Sequence, residues 1–165
     1  MSTLLSIRKV EKNDETHLAA IIRAVFEEHH APRCGTVYSD PTTDQLFELF
    51  KVEKSILWVA EWNNQIVGCC GIYPTEGLPN STAELVKFYL LPLARGKKIG
   101  KQLIEKSIQS AIELGYEKLY LESMPQFSKA VDFYKRIGFK KLDGALGNSG
   151  HTSCSIWMLL PLVNL

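Results

Sequence analysis

The stretch AELVKFYLLPLARGKKIGKQLIEKSI, residues 83–108, decides the fold. It reads as a buried strand ended by Pro92, a basic turn with two glycines, and a long amphipathic helix from about Lys98 to Leu114. The helix's apolar residues recur three or four positions apart, which places them on one face. They are Ile99, Leu103, Ile104, Ile108, Ala111 and Ile112.

The turn itself predicts a binding site for an anion. Its four cations lie within the seven residues Arg95 to Lys101. The first N–H groups of a helix lack internal acceptors and carry partial positive charge, so they favour a bound phosphate. Cations at this end of a helix interact unfavourably with the helix dipole, and a bound anion would offset that cost. The alternative is an ordinary solvated helix start.

Two familiar nucleotide motifs do not fit this turn. A Walker-type loop needs G-x-x-x-x-G-K-[ST], but Gly96 and Gly100 are one residue too close and Gln102 replaces the metal-binding hydroxyl. The dinucleotide pattern G-x-G-x-x-G is also absent from the turn. The anion is therefore not expected to belong to a nucleotide that is hydrolysed.

Outward from this stretch, helices and strands alternate at close spacing. The first helix has Asn13 or Asp14 as its cap, and Asn63-Asn64 suits a hairpin turn. The order β-αα-βββ-α-β-α-ββ predicts an α/β domain with helices on both faces of a mixed sheet. The other predicted elements are strands over residues 4–10, 56–62, 66–73, 82–91, 116–122, 139–142 and 153–160, and helices over 14–29, from Pro41, and over 125–136.

Composition limits the class of protein. The 165 residues, 45% apolar and 22% charged, predict one globular domain over residues 1–165. A net charge of +1 argues against a nucleic-acid surface. No apolar run suits a membrane span or signal peptide, and the four cysteines read as free thiols, so we expect a cytoplasmic protein without a metal site.

Two segments resemble the GNAT superfamily of N-acetyltransferases. Arg95-Gly96-Lys97-Lys98-Ile99-Gly100 is similar to the family's acyl-CoA loop, [Q/R]-x-x-G-x-[G/A], although Lys98 stands where Gly is usual. Residues 130–139, AVDFYKRIGF, resemble the family segment A-x-x-F-Y-x-x-x-G-F, and Phe127 replaces a frequent Asn upstream. The resemblance implies a mostly antiparallel seven-stranded sheet with about four helices, acetyl-CoA as donor, and a small-molecule or peptide amine as acceptor.

The same resemblance implies the site residues. Phe88, Tyr89 and Leu90 would offer backbone groups to the pantetheine and thioester, and Tyr134 would lie beside the sulfur. Phe127 is expected on the cofactor as well. The turn that would hold the pyrophosphate comprises Arg95, Gly96, Lys97, Lys98, Ile99, Gly100 and Lys101. The family also contains dimers, so a monomer or a homodimer is expected, and the apolar tail from Ile156 to Leu165 would suit an interface or simply end the sheet.

Acyl transfer to an amine needs a base, oxyanion stabilisation and help for the leaving thiolate. Glu84 or Glu122 would take the proton, directly or through water; the alternative for each is a solvated carboxylate. Tyr134 would donate a hydrogen bond to the thiolate, or else be a core tyrosine. A backbone N–H near Leu90, freed by a bulge before Pro92, would bind the oxyanion.

Histidines are expected at the surface, and Cys70 and Cys154 as small core residues rather than nucleophiles. The sequence therefore predicts an acetyl-CoA-dependent N-acetyltransferase. Its alternatives are a non-catalytic acyl-CoA sensor on the same fold, and a domain whose basic turn binds an acidic protein.

Overall fold

A computed structural model describes residues 4–163 of the chain. The predicted order of strands and helices is confirmed, and the element bounds move by one to three residues at most of their ends. The second helix departs further, because it begins at Leu46 and not at Pro41, and Pro41–Asp44 form a short 3₁₀ helix instead. The strands are β1 Leu5–Lys9, β2 Ile56–Trp62, β3 Gln65–Tyr73, β4 Thr82–Leu90, β5 Lys118–Ser123, β6 Lys140–Lys141 and β7 Ile156–Pro161. The helices are α1 Glu15–Glu28, α2 Leu46–Leu49, α3 Ile99–Glu113 and α4 Ser128–Ile137.

The strands form one seven-stranded sheet in the order β1-β2-β3-β4-β5-β7-β6. Every neighbouring pair is antiparallel except β4 and β5, which run parallel. That parallel pair is short, because only residues 82–84 of β4 pair with residues 118–120 of β5. Beyond Glu84 the two strands diverge and leave a gap in the sheet.

Two hydrophobic cores cover the two faces of the sheet. On one face α3 and α4 pack through Leu103, Ile104 and Val131. On the other, α1 and α2 pack through Ile22 and Leu46. The α/β class with helices on both faces is thus confirmed, and the gap between β4 and β5 lies between the layers.

Local details depart from the sequence predictions at three places. Asp14 precedes α1, but its carboxylate binds Arg8 and the Glu11 N–H rather than capping the helix. Ile112 is 38% exposed, so it does not lie on the buried face of α3. The third concerns β4, where the bulge is at Lys87 and Phe88 and not next to Pro92.

Other local predictions are confirmed. Asn63 and Asn64 both adopt positive φ, 51° and 65°, in the β2–β3 hairpin. Asp40 accepts a hydrogen bond from the Thr42 N–H at 2.9 Å, as a cap before Pro41 should. The apolar tail lies partly outside the described residues, since it extends from β7 to Leu165.

Candidate active site

The divergence of β4 from β5 opens a cleft of about 790 Å³. Its walls come from β4, the end of β5, the start of α3 and the inner side of α4. Loops after α1 and before β7 close one end. Most of the site residues predicted from the sequence line this cleft. They are Glu84, Phe88, Tyr89, Leu90, Arg95, Gly96, Lys98, Gly100, Lys101, Glu122, Phe127 and Tyr134.

At the α3 end the backbone forms an anion cradle. Among residues 4–163, the six consecutive N–H groups from Gly96 to Lys101 have no protein acceptor in good geometry; the first N–H bonded at the helix start is that of Gln102. Such a run of unpaired donors at a helix N-terminus suits a phosphate. The residues present therefore fit the diphosphate of a CoA donor.

The cradle also explains why glycine is usual at position 98. Lys98 is the residue before α3 and adopts φ 63°, in the left-handed region. A non-glycine residue there costs about 1 kcal/mol or more. In exchange its ammonium side chain lines the cleft. Gly100 is small for another reason: a Cβ there would lie 3.2 Å from the Phe88 ring.

The side chains of the turn divide into three groups. Lys98 and Lys101 line the cleft, whereas Lys97 lies over the Trp62 ring at 5.2 Å and Ile99 is buried in the core. Arg95 donates two hydrogen bonds to Glu28, at 2.6 and 2.8 Å, and two more to the Leu90 carbonyl.

Arg95 therefore anchors the turn to α1 and β4, and its guanidinium is already occupied. About a third of each side chain is exposed to solvent, which screens the two charges. The Arg95–Glu28 pair therefore contributes to stability as a surface ion pair does. The Arg95 N–H also bonds the Pro92 carbonyl, so the turn offers an anion the backbone N–H groups from Gly96 onward rather than any donor of Arg95.

Tyr134 lies on α4 and faces the cleft. Its ring is 6.1 Å from that of Phe88 and 5.8 Å from that of Phe139. No hydrogen bond to its hydroxyl is formed by residues 4–163, and none of their fully buried polar side-chain atoms lacks a partner. The hydroxyl therefore reaches the open cleft.

Burial raises the pKa of Tyr134 well above its ordinary value, with the nearby Cys70 thiol adding to the effect. A phenol with a raised pKa is a poor acid for a thiolate, whose pKa is about 8.5. The group can still donate a hydrogen bond in either case. The environment of Tyr134 therefore suits a hydrogen-bond donor to the thiolate better than an acid that protonates it.

The bulge in β4 separates two side-chain patterns. Cys69 pairs with Tyr89 and Gly71 pairs with Val86, so β4 has one extra residue opposite Cys70. Lys87 adopts φ 57° at this point. Because the Leu91 N–H bonds the Val67 carbonyl in β3, alternation along the strand turns the Leu90 N–H away from β3, towards the cleft. The donor expected near Leu90 thus arises without a bulge beside Pro92.

Of the two predicted bases, Glu84 and Glu122, Glu84 has the environment better suited to accepting a proton. It is 4% exposed and accepts a hydrogen bond from the Thr75 hydroxyl at 2.6 Å. Burial raises its pKa to about 7, the Thr75 hydrogen bond opposes that rise, and the charge of Glu122 supports it. A carboxyl with a pKa near neutrality is suited to accept a proton from an amine.

Glu122 lies across the cleft at the end of β5. It accepts a hydrogen bond from Tyr120 at 2.7 Å and a very short one from Ser149. These contacts fix its side chain and tie it to the loop between β6 and β7. Its charge also helps to raise the pKa of Glu84.

Sequence reasoning missed the groups that the loops bring to the cleft. His151 lies 3.0 Å from Asp40, 111 residues away in the chain, and is partly buried in the cleft wall rather than at the surface. His151 and the Thr42 hydrogen bonds hold the pKa of Asp40 down at about 2, against the effect of burial. His29 packs on Phe127 at 5.4 Å. Only a long-range contact prediction would have found these pairs.

Three of the four cysteines, Cys69, Cys70 and Cys154, lie in environments that disfavour the reactive thiolate. Cys69 and Cys70 are fully buried, and burial raises the pKa of Cys70 to about 12. Cys154 lines the cleft with its pKa raised, also by burial, to about 12. None of these three thiols has the lowered pKa of a thiolate nucleophile.

Comparison with known proteins agrees with this site. The family model described as acetyltransferase (GNAT) family matches residues 19–139. The chain belongs to the GNAT acetyltransferase family. The predicted fold and class of enzyme, an acetyl-CoA-dependent N-acetyltransferase, are thereby confirmed.

Relatives extend over almost the whole chain. The Escherichia coli (strain K12) protein YjgM, an uncharacterized N-acetyltransferase, is 33% identical over 157 residues, 94% of each chain. A GNAT-family acetyltransferase from Staphylococcus aureus Mu50 has a TM-score of 0.81 at 22% identity, covering 96% of this chain and 99% of that chain. An acetyltransferase from Salmonella typhimurium, solved with its cofactor acetyl-CoA, has a TM-score of 0.74 at 19% identity, covering 96% and 94%.

Two further observations concern residues 4–163. They contain no group of three or more His, Cys, Asp or Glu residues arranged to hold a metal ion. No helix among them has the length and apolar character needed to cross a membrane.

Proposed function

We propose that this GNAT acetyltransferase moves an acetyl group from acetyl-CoA to a primary amine by direct attack in a ternary complex. The observation that carries the proposal is one cleft with an unpaired run of N–H donors at one end and a near-neutral carboxyl, Glu84, at the other. Phosphate recognition and amine deprotonation are thus supported at the two ends of one continuous cleft.

Each residue has a role that follows from its environment. The N–H groups of Gly96 to Lys101, with the ammonium groups of Lys98 and Lys101, bind the diphosphate. Phe88 and Phe127 form apolar walls for the acyl arm. These assignments use Lys97 and Ile99 only through their backbone N–H groups, because the Lys97 side chain lies over Trp62 and the Ile99 side chain is buried in the core.

Glu84 accepts the proton that the attacking amine loses. An alkyl ammonium has a pKa near 10.4, so the acceptor is mostly protonated at neutral pH and must lose one proton, which Glu84 with its pKa near 7 accepts, before the nitrogen attacks. The nitrogen loses its second proton to the leaving thiolate once the C–N bond has formed. The Leu90 N–H stabilises the oxyanion, and Tyr134 donates a hydrogen bond to the sulfur that leaves. The chemistry needs no covalent enzyme intermediate and no metal.

We also propose that residues 1–165 form one N-acetyltransferase domain, which is a monomer or a homodimer. Reduced thiols, one of them in the cleft wall, are consistent with a cytoplasmic protein.

The test is release of free CoA thiol from acetyl-CoA in the presence of a library of primary amines. Turnover that depends on both the amine and the protein is expected. Binding is tested separately by thermal unfolding, since a ligand at 100 times its Kd adds about 2.7 kcal/mol to stability. CoA should stabilise the protein far more than pantetheine, which lacks the diphosphate.

Two results would contradict the proposal in different ways. CoA stabilisation without turnover on any amine would indicate a sensor. Equal stabilisation by pantetheine and CoA would remove the diphosphate role from the turn between Arg95 and α3.

A further inference from the structure

Lys87 is a buried cation that no step of acetyl transfer uses. Lys87 lines the cleft near Glu84, at the end that we call the acceptor end, and it is only 7% exposed. Among residues 4–163, no carboxylate lies within 4 Å of its ammonium, and no hydrogen bond from it is formed. Since those residues contain no fully buried polar side-chain atom without a partner, the Lys87 ammonium must open into the cleft.

The backbone directs Lys87 into the cleft. Ala83 and Leu85 point into the core beneath α3, and an unbulged strand would send residue 87 the same way. The bulge changes this pattern: Phe88 and Leu90 join the α3 side, while Val86 and Tyr89 pack on the α1 side. The extra residue, Lys87, thereby leaves the α3 core and shares the side of the strand that carries Glu84.

Holding a lysine here is costly in two ways. A residue other than glycine is strained in the left-handed region that Lys87 adopts, and glycine would form the bulge without this strain. A buried ammonium without a partner also loses its hydration. Burial lowers the pKa of Lys87, although the charges of Asp40 and Glu84 act against that change.

The neighbouring carboxylates are already engaged with other groups. Glu84 is bound by Thr75, Glu122 by Tyr120 and Ser149, and Asp40 by His151 and Thr42. Asp40 and Glu84 act on Lys87 through their charge at longer range, but none of the three carboxylates hydrogen-bonds to it. The vacant hydrogen-bonding positions of the ammonium therefore face the space that the acceptor would occupy.

We infer that the acceptor is an amine that also carries a carboxylate, an amino acid or a molecule with the same pair of groups, and that Lys87 binds the carboxylate. The inference rests on the proposed function, because it assigns the acceptor of that reaction. Glu84 and Glu122 then face the amino group while Lys87 faces the acid. One cleft end thus contains complementary charges for both ends of a zwitterion.

The experiment compares matched acceptors that differ only in the carboxylate. L-amino acids and ω-amino acids are paired with their carboxamides and assayed by CoA release. The wild-type protein should favour the acid in the best pair by tenfold or more in kcat/KM. In the Lys87→Met variant that preference should fall by tenfold or more, mainly through KM.

Two controls isolate the charge of Lys87. Lys135→Met makes the same chemical change on the exposed side of α4, outside the cleft, and should keep the wild-type preference. Comparing the acid-to-amide ratio between proteins cancels the different intrinsic reactivity of the two amines. Stabilisation by CoA checks that Lys87→Met is folded and binds the donor.

Equilibrium binding separates failure of the inference from failure of the proposed function. N-acetyl amino acids and their amides are titrated by calorimetry into the CoA-loaded wild-type protein, a measurement that needs neither turnover nor a variant. Turnover without preference for the acid, or equal binding of acid and amide, would overturn the role of Lys87 and leave acetyl transfer intact. Tighter binding of the acid without any turnover would overturn acetyl transfer and support the anion site.

Discussion

Replacement of Glu84 by Gln tests the most perturbed carboxyl of the cleft. Glu84→Gln keeps the shape of the side chain and the Thr75 hydrogen bond but removes the titration. The pKa of Glu84 is about 7 in the folded protein, against an ordinary value of 4.5. Between these values the folded state binds more protons than the unfolded state, so wild-type stability falls as the pH rises through this window.

The size of the effect follows from the shift. At about 1.36 kcal/mol for each pKa unit, ionising Glu84 in the folded state costs about 3 kcal/mol by pH 8. Glu84→Gln should therefore gain about 3 kcal/mol in unfolding free energy relative to wild type between pH 4.5 and pH 8. Any cost of burying the Gln amide does not depend on pH, so it changes the unfolding free energy of Glu84→Gln equally at pH 4.5 and at pH 8 and does not affect this difference.

Urea unfolding at several pH values measures this difference. Glu117→Gln, at an exposed position without a side-chain partner among residues 4–163, is the control and should follow the wild type. A wild-type minus Glu84→Gln difference that stays constant from pH 4.5 to pH 8 would refute the account of Glu84. In parallel, wild-type kcat/KM should rise with pH through about 7, while Glu84→Gln should lose 100-fold or more in kcat.

Three further predictions follow from single contacts. Tyr134→Phe should keep the fold and CoA binding but lower kcat tenfold or more, because only the hydroxyl that faces the cleft is lost; unchanged kcat in steady-state assays would exclude it from the reaction. Lys98→Gly should raise unfolding free energy by about 1 kcal/mol by relieving the left-handed strain, yet weaken CoA binding in titrations; tighter binding would contradict a charge role. In thiol labelling, exposed Cys34 should react quickly and Cys70 only on unfolding. Cys154 should react slowly, and CoA should protect it; fast labelling of Cys154 would contradict its buried, high-pKa environment.

Local chemistry made much of this protein predictable. Three features depend only on residues close together in the chain. They are the helical spacing of apolar residues over 99–111, the Asn63-Asn64 turn and the glycines of the basic turn. Each leaves a readable pattern, because a helix face, a positive φ or an unpaired helix N-terminus depends on nearby residues. The position of the unpaired N–H groups was therefore predictable from the sequence, whereas their binding of a diphosphate stays a prediction.

The acceptor end was less predictable because distant segments build it. The bulge at Lys87 results from the register between β3 and β4, which the sequence of β4 alone does not reveal. The pairs His151–Asp40 and Arg95–Glu28 join residues 111 and 67 positions apart. Arg95 illustrates the limit: its charge suggested an anion ligand, but α1 supplies a carboxylate that engages it first.

The three residue pairs that join β4 to β5 have a mechanical consequence. They are the only backbone ladder between a four-stranded half and a three-stranded half of the described sheet. A donor molecule seated beyond them touches both halves, so part of its binding free energy resists their separation. Binding of the donor should therefore make the junction between β4 and β5 more rigid. Without a bound donor, the two halves of the sheet should separate first at this junction.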